Sequence, residues 1–351
     1  MDRALALAAG VRRSTSPNPW VGCVIEPADR GVSFEGATQP PGGPHAEIVA
    51  LAAAADAAAA GAHVAHAYAD AATHTAGAHA AGAHLAGATL YTTLEPCSHH
   101  GRTPPCTDAI VAAGIARGVV GIEDPDPHVA GAGVAALRAA GITVDIGIRS
   151  DEVRAQLAPY LTHRTTGRPY VVLKLAATLD GRTAAADGSS RWITGTEARA
   201  DAHRLRAESD AVLVGAGTVR ADDPSLTVRH GPGRDPLRIV LGHAPPGAKV
   251  HPALELKGPL DDILDQLGQR GVLQVLVEGG ATVAGELHRA GLVDRYVVYL
   301  APALAGGDDG RPLLAGPGAP TIDDLWRGRI VSVTHLGPDL RVELERACSP
   351  A

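Results

Sequence analysis

The chain has 351 residues, of which 45% are hydrophobic and 20% charged, and this length and composition predict two globular domains with separate cores. Its formal net charge of −7 and its 3% aromatic content argue against a surface that binds nucleic acids. No apolar stretch reaches membrane-spanning length, and the N-terminal Ala/Leu run is interrupted by Arg12-Arg13. We therefore expect a cytoplasmic enzyme without nucleic-acid or membrane partners, and without a disulfide framework among its four cysteines.

The first half of the chain predicts strands that alternate with helices, which is typical of a three-layer α/β/α sandwich. Strands are predicted over residues 21–26, 88–94, 119–122 and 142–144. Helices are predicted over residues 2–13 and 131–140, after Gly42-Gly43-Pro44, and from Cys106 onward. We place this domain at residues 1–150.

Residues 52–88 form a low-complexity insert that is more than half alanine. It contains five histidines that invite a metal-chelating interpretation, namely His63, His66, His74, His79 and His84. We favour a solvated, partly helical or mobile excursion, because glycines at positions 61, 77, 82 and 87 would interrupt a long helix.

Residues 151–168 are the candidate interdomain linker, and a second α/β pattern predicts another domain over residues 169–347. Its predicted strands are 170–175, 211–215, 237–241, 273–277 and 295–300, and its predicted helices are 197–207 and 281–290. Strands 329–336 and 339–345 meet at Gly337-Pro338, which predicts a closing hairpin.

A catalytic zinc site is predicted from His45, Cys97 and Cys106, because one imidazole and two thiolates leave the fourth tetrahedral position open for water. Zinc lowers the pKa of such a water to about 7, and Glu47 is placed to shuttle its protons. We expect a helix N-terminus to help hold Glu47 ionised, and positive helix or loop termini to favour both thiolates.

The pattern resembles the H-x-E…P-C-x-x-C signature of zinc nucleobase deaminases, although eight residues separate the two cysteines here. A closed structural site with His99 or His100 as fourth ligand is the alternative, and we favour the catalytic interpretation. His99, His100 and Arg102 fit either substrate positioning or an ordinary loop. Asn18, in a proline-framed turn, is a candidate reader of a pyrimidine edge.

Two glycine-rich turns stand out in the second half, at residues 214–218 and 277–282, and each could present backbone N–H groups to a phosphate. No Gly-x-Gly-x-x-Gly turn supports a Rossmann dinucleotide site. Lys174 is one of only three lysines and lies on a strand of buried pattern, so we expect it to face a site.

Long motifs in both halves resemble the family of bifunctional riboflavin-biosynthesis deaminase–reductases. The deaminase motifs are residues 18–25, 42–47 and 94–106, and the reductase motifs are residues 174–183, 190–195, 215–224 and 277–280. The resemblance covers nearly the whole chain except the insert. It implies a cytidine-deaminase-like α/β/α sandwich followed by a dihydrofolate-reductase-like α/β domain.

The resemblance also implies which side chains of the second domain bind ligands. Cofactor contacts are implied for Ala176, Trp192, Thr218, Asp222, Gly279 and Gly280, and substrate contacts for Ser190, Arg206, Leu226, Arg229 and Glu278. We also expect Lys174 to contact the substrate. Arg206 and Arg229 suit a sugar phosphate because a guanidinium binds phosphate with two parallel hydrogen bonds.

The implied function is a two-step reaction in riboflavin biosynthesis. Zinc-dependent hydrolytic deamination of 2,5-diamino-6-ribosylamino-4(3H)-pyrimidinone 5′-phosphate is followed by NADPH-dependent reduction of its ribosyl group to ribityl. We expect a homo-oligomer, a dimer or larger. The main alternative is a deaminase with a catalytically silent, nucleotide-binding C-terminal domain, and Lys174, Asp222 and Glu278 argue against it.

A nucleic-acid-editing deaminase and a non-catalytic zinc scaffold are two further interpretations of the zinc motif. The acidic charge and scarce aromatic residues argue against the editing deaminase. The placement of Glu47 argues against the scaffold.

Overall fold

The computed structural model describes residues 1–29, 31–66, 85–99, 104–127 and 129–346. It divides into two compact units, Met1–Thr165 and Thr166–Ala351, each built on its own sheet. Within the described ranges, no helix is long and apolar enough to cross a membrane.

The first unit combines one sheet with helices. Its strands are β1 (Gly22–Glu26), β2 (Phe34–Ala37), β3 (Thr89–Leu94), β4 (Arg117–Ile122) and β5 (Thr143–Ile146). Its helices are α1 (Asp2–Thr15), α2 (Ala46–His66), α3 (Cys106–Ala112), α4 (Ala132–Ala139) and α5 (Ser150–Thr166). The sheet order is β2-β1-β3-β4-β5; β1 is antiparallel to both neighbours, and β3, β4 and β5 are parallel.

Two glycines let helices approach this sheet closely. A Cβ on Gly22 of β1 would lie 1.9 Å from the Ala4 carbonyl oxygen of α1. A Cβ on Gly36 of β2 would lie 2.1 Å from the Ala46 carbonyl oxygen at the start of α2. Larger residues at either position would push the helix off the sheet. The second contact fixes the N-terminus of α2, where His45 and Glu47 lie.

The second unit contains a larger sheet. Its strands are β6 (Tyr170–Thr178), β7 (Arg182–Ala184), β8 (Ala211–Gly215), β9 (Leu237–Leu241), β10 (Leu254–Leu256), β11 (Gln274–Val277), β12 (Arg295–Ala301), β13 (Arg311–Pro312), β14 (Gly328–Leu336) and β15 (Asp339–Arg346). Its helices are α6 (Thr196–Ala207), α7 (Ala216–Asp222), α8 (Leu260–Gln269) and α9 (Ala281–Arg289).

The eight-stranded sheet has the order β10-β9-β8-β11-β6-β12-β15-β14, and its first six strands are parallel. Every residue of β8 and β11 is buried, as expected for central strands of a parallel sheet covered on both faces. The predicted C-terminal hairpin is present as antiparallel β14 and β15. Because parallel strands end at one edge, the turns after β8, β9, β10 and β11 lie together.

Two segments differ from their predictions. Residues 151–168, expected to be a linker, lie mostly in α5, whose Val153, Leu157 and Tyr160 are buried. Helix α2 continues past Gly61 to His66, because a single glycine in an alanine-rich helix costs only about 1 kcal/mol.

The ends of the low-complexity insert therefore belong to the folded unit. Residues 52–66 continue α2, and Ala54, Leu85 and Ala88 are buried. Its remaining residues, 67–84, include His74, His79 and His84 and lie outside the described residues, as do His100 and Arg102.

Candidate active sites

The three predicted zinc ligands come together in the first unit. His45 immediately precedes α2, Cys97 follows β3, and Cys106 is the first residue of α3. The Nδ1 atom of His45 lies 3.6 Å from the Cys97 sulfur and 3.4 Å from the Cys106 sulfur. All three ligand atoms lie within 4.8 Å of one another. The Cys106 N–H also donates to the Cys97 sulfur at 3.4 Å.

These distances fit a zinc ion. Tetrahedral zinc with Zn–S near 2.3 Å and Zn–N near 2.0 Å holds its sulfur and nitrogen ligands about 3.5 Å apart. The donor set of one imidazole and two thiols supplies three ligands. A fourth position for water or substrate is the mark of a catalytic zinc centre.

The charges of the two thiols support the same conclusion. The Cys106 thiol, the His45 ring and the Cys106 N–H lower the pKa of Cys97 to about 4. Cys97 and burial raise the pKa of the Cys106 thiol. Two adjacent thiolates repel each other more strongly than a helix terminus compensates. A cation between the sulfurs removes that repulsion.

Glu47 is buried beside these ligands, with 3% of its surface exposed. Burial raises the pKa of Glu47 to about 7, although its own backbone and His45 oppose the shift. Desolvation therefore opposes the ionisation of Glu47 that the helix N-terminus favours. A carboxyl group with a pKa near neutrality suits a proton shuttle, since it can both accept and release a proton.

A further residue of this site, Glu95, was missed in the sequence. Its buried carboxylate accepts hydrogen bonds from the N–H groups of Asp124 at 3.1 Å, Gly131 at 3.0 Å and Val134 at 2.9 Å. Glu95 therefore ties the loop before α4 to the Pro96-Cys97 segment. Its position next to Pro96-Cys97 was the available signal, but its three partners are distant in the sequence.

Asn18 and His99 are the remaining predicted residues of this unit within the described ranges. Asn18 is half-buried in the turn between α1 and β1, where its N–H donates to the Thr15 carbonyl at 2.9 Å. His99 is exposed in the loop after Cys97.

The second unit has a cleft of about 1520 Å³ along the edge where its parallel strands end. This exceeds the roughly 300–1,000 Å³ of a typical small-molecule pocket, so the cleft has room for a cofactor and a substrate together. It is lined by every residue predicted to bind a ligand in this unit: Lys174, Ala176, Ser190, Trp192, Arg206, Thr218, Asp222, Leu226, Arg229, Glu278, Gly279 and Gly280.

An ion pair between Arg206 and Glu278 lies in this cleft. The Nε and Nη2 atoms of Arg206 donate to the two carboxylate oxygens of Glu278 at 2.5 and 2.9 Å. Burial raises the pKa of Glu278, but the charge and hydrogen bonds of Arg206 and the charge of Lys174 lower it overall. Glu278 therefore occupies the Nε and Nη2 edge of the Arg206 guanidinium.

Lys174 lies close enough to this ion pair for the charges of Glu278 and Arg206 to act on it. Its Nζ atom is 5.9 Å from the centre of the Tyr299 ring. Burial lowers the pKa of Lys174, and Glu278 opposes the shift. Lys174 is among the residues that line the cleft.

One side of the cleft is built from Thr218 and the turn after β11. The Gly280 N–H donates to the Thr218 hydroxyl at 3.1 Å, and α9 begins at Ala281. A Cβ on Gly279 would lie 2.9 Å from Val283 Cβ, so glycine keeps the backbone close to α9. This helix N-terminus, open to the cleft, fits the phosphates of a dinucleotide.

Trp192 forms a flat wall of the same cleft and is 69% exposed. The Arg199 guanidinium lies 4.6 Å from the Trp192 ring centre, which favours one orientation of the indole. Asp222 ends α7, and its carbonyl accepts a hydrogen bond from Arg191. An exposed aromatic face and a fixed backbone suit a planar nicotinamide or pterin-sized ring.

His203 is a second residue that the sequence did not reveal. It is buried on α6, and its Nδ1 atom accepts a hydrogen bond from the Arg229 N–H at 3.2 Å. Burial and the nearby charges of Arg206 and Arg229 lower the pKa of His203 to about 4, which keeps the ring neutral at pH 7. Arg229 itself is exposed at the cleft, and its Nη1 donates to the Ser225 hydroxyl at 2.8 Å.

Two protein-family models match this chain. "Cytidine and deoxycytidylate deaminase zinc-binding region" matches residues 1–122, and "RibD C-terminal domain" matches residues 169–342. The "Riboflavin biosynthesis protein RibD" of Escherichia coli is 40% identical over 98% of both chains. The protein of the same name from Mycobacterium tuberculosis is 38% identical over 98% of this chain and 97% of the relative.

Solved structures are similar along the whole chain. A structure of Acinetobacter baumannii RibD has a TM-score of 0.84 at 36% identity and covers 99% of this chain and 98% of that chain. The structure of a Thermotoga maritima diaminohydroxyphosphoribosylaminopyrimidine deaminase/5-amino-6-(5-phosphoribosylamino)uracil reductase has a TM-score of 0.82 at 33% identity and covers 99% and 97%. The predicted fold class of both units is confirmed.

Proposed function

The chain belongs to the RibD family, and we propose that each of its two units carries one of the family's reactions. It is a bifunctional deaminase and reductase of riboflavin biosynthesis that uses zinc and NADPH. For the substrates we propose those after which the Thermotoga maritima relative is named, a diaminopyrimidine ribosyl phosphate and its deaminated uracil product. The observation that carries the deaminase assignment is the buried Glu47 beside the His45, Cys97 and Cys106 donors.

In the deaminase unit, we assign His45, Cys97 and Cys106 as the zinc ligands and Glu47 as the proton shuttle. Zinc held by these three residues would supply a water that is acidic enough to attack at neutral pH. Glu47 would transfer the two protons of the attacking water, one to a ring nitrogen of the substrate and the other to the departing amine, which leaves as ammonia. The exocyclic C–N bond breaks, a C–O bond forms, and one water is consumed for each ammonia released. We assign Asn18 to binding of the pyrimidine edge.

NADPH bound in the reductase unit would supply a hydride to C1′ of the ribosyl group. We assign Ala176, Trp192, Thr218, Asp222, Gly279 and Gly280 to cofactor binding, and Lys174, Ser190, Arg206, Leu226, Arg229 and Glu278 to substrate binding. Arg229, exposed at the cleft, offers its guanidinium to the substrate phosphate. The ion pair of Arg206 with Glu278 also fixes the position of the Glu278 carboxylate in the cleft.

A deaminase with a silent C-terminal domain is not favoured. The cleft retains the buried charges of Lys174, Arg206 and Glu278, which are expensive to keep without a ligand or reaction that uses them. Mass spectrometry of the products from the diaminopyrimidine substrate tests the two-step proposal. We expect a product about 1 Da heavier without NADPH, from replacement of NH₂ by OH, and a further gain of about 2 Da with it, from the added hydride and proton. Absence of the second change would support the silent-domain alternative.

We also propose that the protein acts in the cytoplasm as a homo-oligomer. Strand β14 lies at the edge of the large sheet and exposes Ile330 and Val333, at 58% and 55%. An apolar edge strand is a surface that a second subunit can cover. Light scattering after size-exclusion chromatography tests this: a dimer or larger species is expected, and a monomer would contradict it.

A further inference from the structure

The chain contains three lysines, Lys174, Lys249 and Lys257, and all of them line the reductase cleft. Lys174 lies near Glu278, and the Lys249 Nζ atom forms an ion pair with Asp223 at 3.1 Å. Lys257 is exposed and forms no salt bridge with any residue in the part of the chain that the structure describes. Its ammonium group is therefore available to an anionic ligand.

Lys257 follows β10 at the end of the cleft farthest from Lys174. Leu256 pairs with Leu241 of β9, and the Gly242 N–H donates to the Leu256 carbonyl at 2.9 Å. Lys257 is thus beside Gly242, at the edge where β8 and β11 also end. Three strand spacings, roughly 14 Å in all, separate β10 from β11 and its Gly279-Gly280 turn.

The space beside Lys257 is bounded by backbone. Gly217, Gly242 and Gly258 all line the cleft, and a Cβ built on Gly217 or Gly258 would meet no heavy atom within 4 Å. Two carboxylates near this end are already paired, Asp223 with Lys249 and Glu255 with His243 at 2.6 Å. This end of the cleft therefore combines open space with a lysine that has no acidic partner among the described residues.

We propose that Lys257 recognises the 2′-phosphate of NADPH and sets the preference of the enzyme for NADPH over NADH. The inference rests on the proposed assignment of the cofactor to this cleft. With phosphates at the Gly279-Gly280 turn and nicotinamide toward β6, the adenosine ribose lies toward β9 and β10. NADPH differs from NADH only by a phosphate on that ribose. A lysine ammonium binds such a phosphate as a point charge.

Equilibrium binding of NADP⁺ and NAD⁺ to the full-length protein, measured by isothermal titration calorimetry, tests the proposal. Lys257→Met should weaken NADP⁺ binding by about tenfold, equivalent to about 1.4 kcal/mol, and change NAD⁺ binding less than twofold. Lys257→Arg should retain most of the preference because it keeps the charge. Arg270→Met, which removes an exposed cation outside the cleft lining, is the control and should change neither affinity.

Equal losses for both dinucleotides, or no loss for either, would overturn the assignment of Lys257. Higher salt should reduce the NADP⁺ preference of the unsubstituted protein and leave that of Lys257→Met nearly constant. If the unsubstituted protein bound neither dinucleotide, the cofactor assignment of the cleft would fail, and this inference with it. Binding to the unsubstituted protein therefore distinguishes the two failures.

Discussion

Arg206 and Glu278 form a two-bond ion pair whose side chains are only 12% and 9% exposed. Arg206 lies on α6 and Glu278 follows β11, so the pair connects two walls of the reductase cleft. The Arg206 guanidinium therefore stabilises the fold and is also part of the site. We therefore propose that Arg229, exposed at the cleft, binds the substrate phosphate.

Glu278→Gln should be strongly destabilising, because it leaves Arg206 and Lys174 as adjacent buried cations. Breaking a buried pair on one side costs about 3–5 kcal/mol. Urea unfolding of the reductase unit measures the cost. Asp261→Asn, which breaks the more exposed pair of Asp261 with Arg168 in the same unit, is the control and should cost about 1 kcal/mol or less. Similar costs for the two variants would contradict the role of the buried pair.

Glu95→Ala should reduce zinc retention and deamination together. The substitution removes the acceptor of three backbone N–H groups, and each buried unsatisfied group costs about 1–3 kcal/mol. Metal analysis after dialysis and ammonia release are the readouts. Glu95→Gln should retain part of the zinc and part of the deaminase activity. Glu123→Ala, which changes an exposed residue nearby, should retain the full zinc content and activity. Full zinc content and activity in Glu95→Ala would show that Glu95 does not position Cys97.

Asp180→Ala should weaken cofactor binding without affecting deamination. The Asp180 carboxylate accepts hydrogen bonds from the Ala305 and Gly306 N–H groups at 3.1 and 2.9 Å, and these begin the loop that leads to the cleft residues Arg311 and Leu313. We expect the KM for NADPH to rise several-fold. Asp308→Ala, exposed in the same loop, is the control. An unchanged KM in Asp180→Ala would contradict the anchoring role.

Asp294 should make the reductase unit less stable as pH rises. Burial raises the pKa of Asp294 to about 6, although its carboxylate accepts a hydrogen bond from the Val171 N–H at 2.7 Å. Since the unfolded pKa is about 3.9, the stabilising contribution is present below pH 4 and is lost as pH rises through 6. The free energy of unfolding of Asp294→Asn should therefore equal that of the parent near pH 4. By pH 7 it should exceed that of the parent by up to about 3 kcal/mol. Asp262→Asn, at an exposed site, controls for the charge change, and a pH-independent difference would contradict the shift.

The sequence predicted the elements whose signals are local. The zinc ligands carry a strong motif, and the buried apolar runs of β8 and β11 have no competing interpretation. Short strands such as β2 and the helix α8 went unpredicted. Their formation depends on packing rather than on a local signal, since β2 is a four-residue strand that forms on β1 and residues of α8 pack into a core supplied by distant segments.

The pKa values and ion pairs of the site residues were harder to predict than which residues belong to each site. The sequence gives no measure of burial, which decides the pKa of Glu47, and it does not show that Arg206 meets Glu278 72 positions later. Glu95 and His203 were missed for the same reason, because each acts on backbone groups supplied by another segment.

Glu47→Gln tests the central claim most directly, with Glu26→Gln at an exposed strand end as control. We expect the Glu47 variant to retain about one zinc per chain, because Glu47 shuttles protons and is not a zinc ligand. Ammonia release should fall by at least ~10²-fold, whereas reduction of pre-deaminated substrate with NADPH should continue at the parent rate. Persisting ammonia release in a zinc-loaded Glu47→Gln protein would contradict the assigned mechanism.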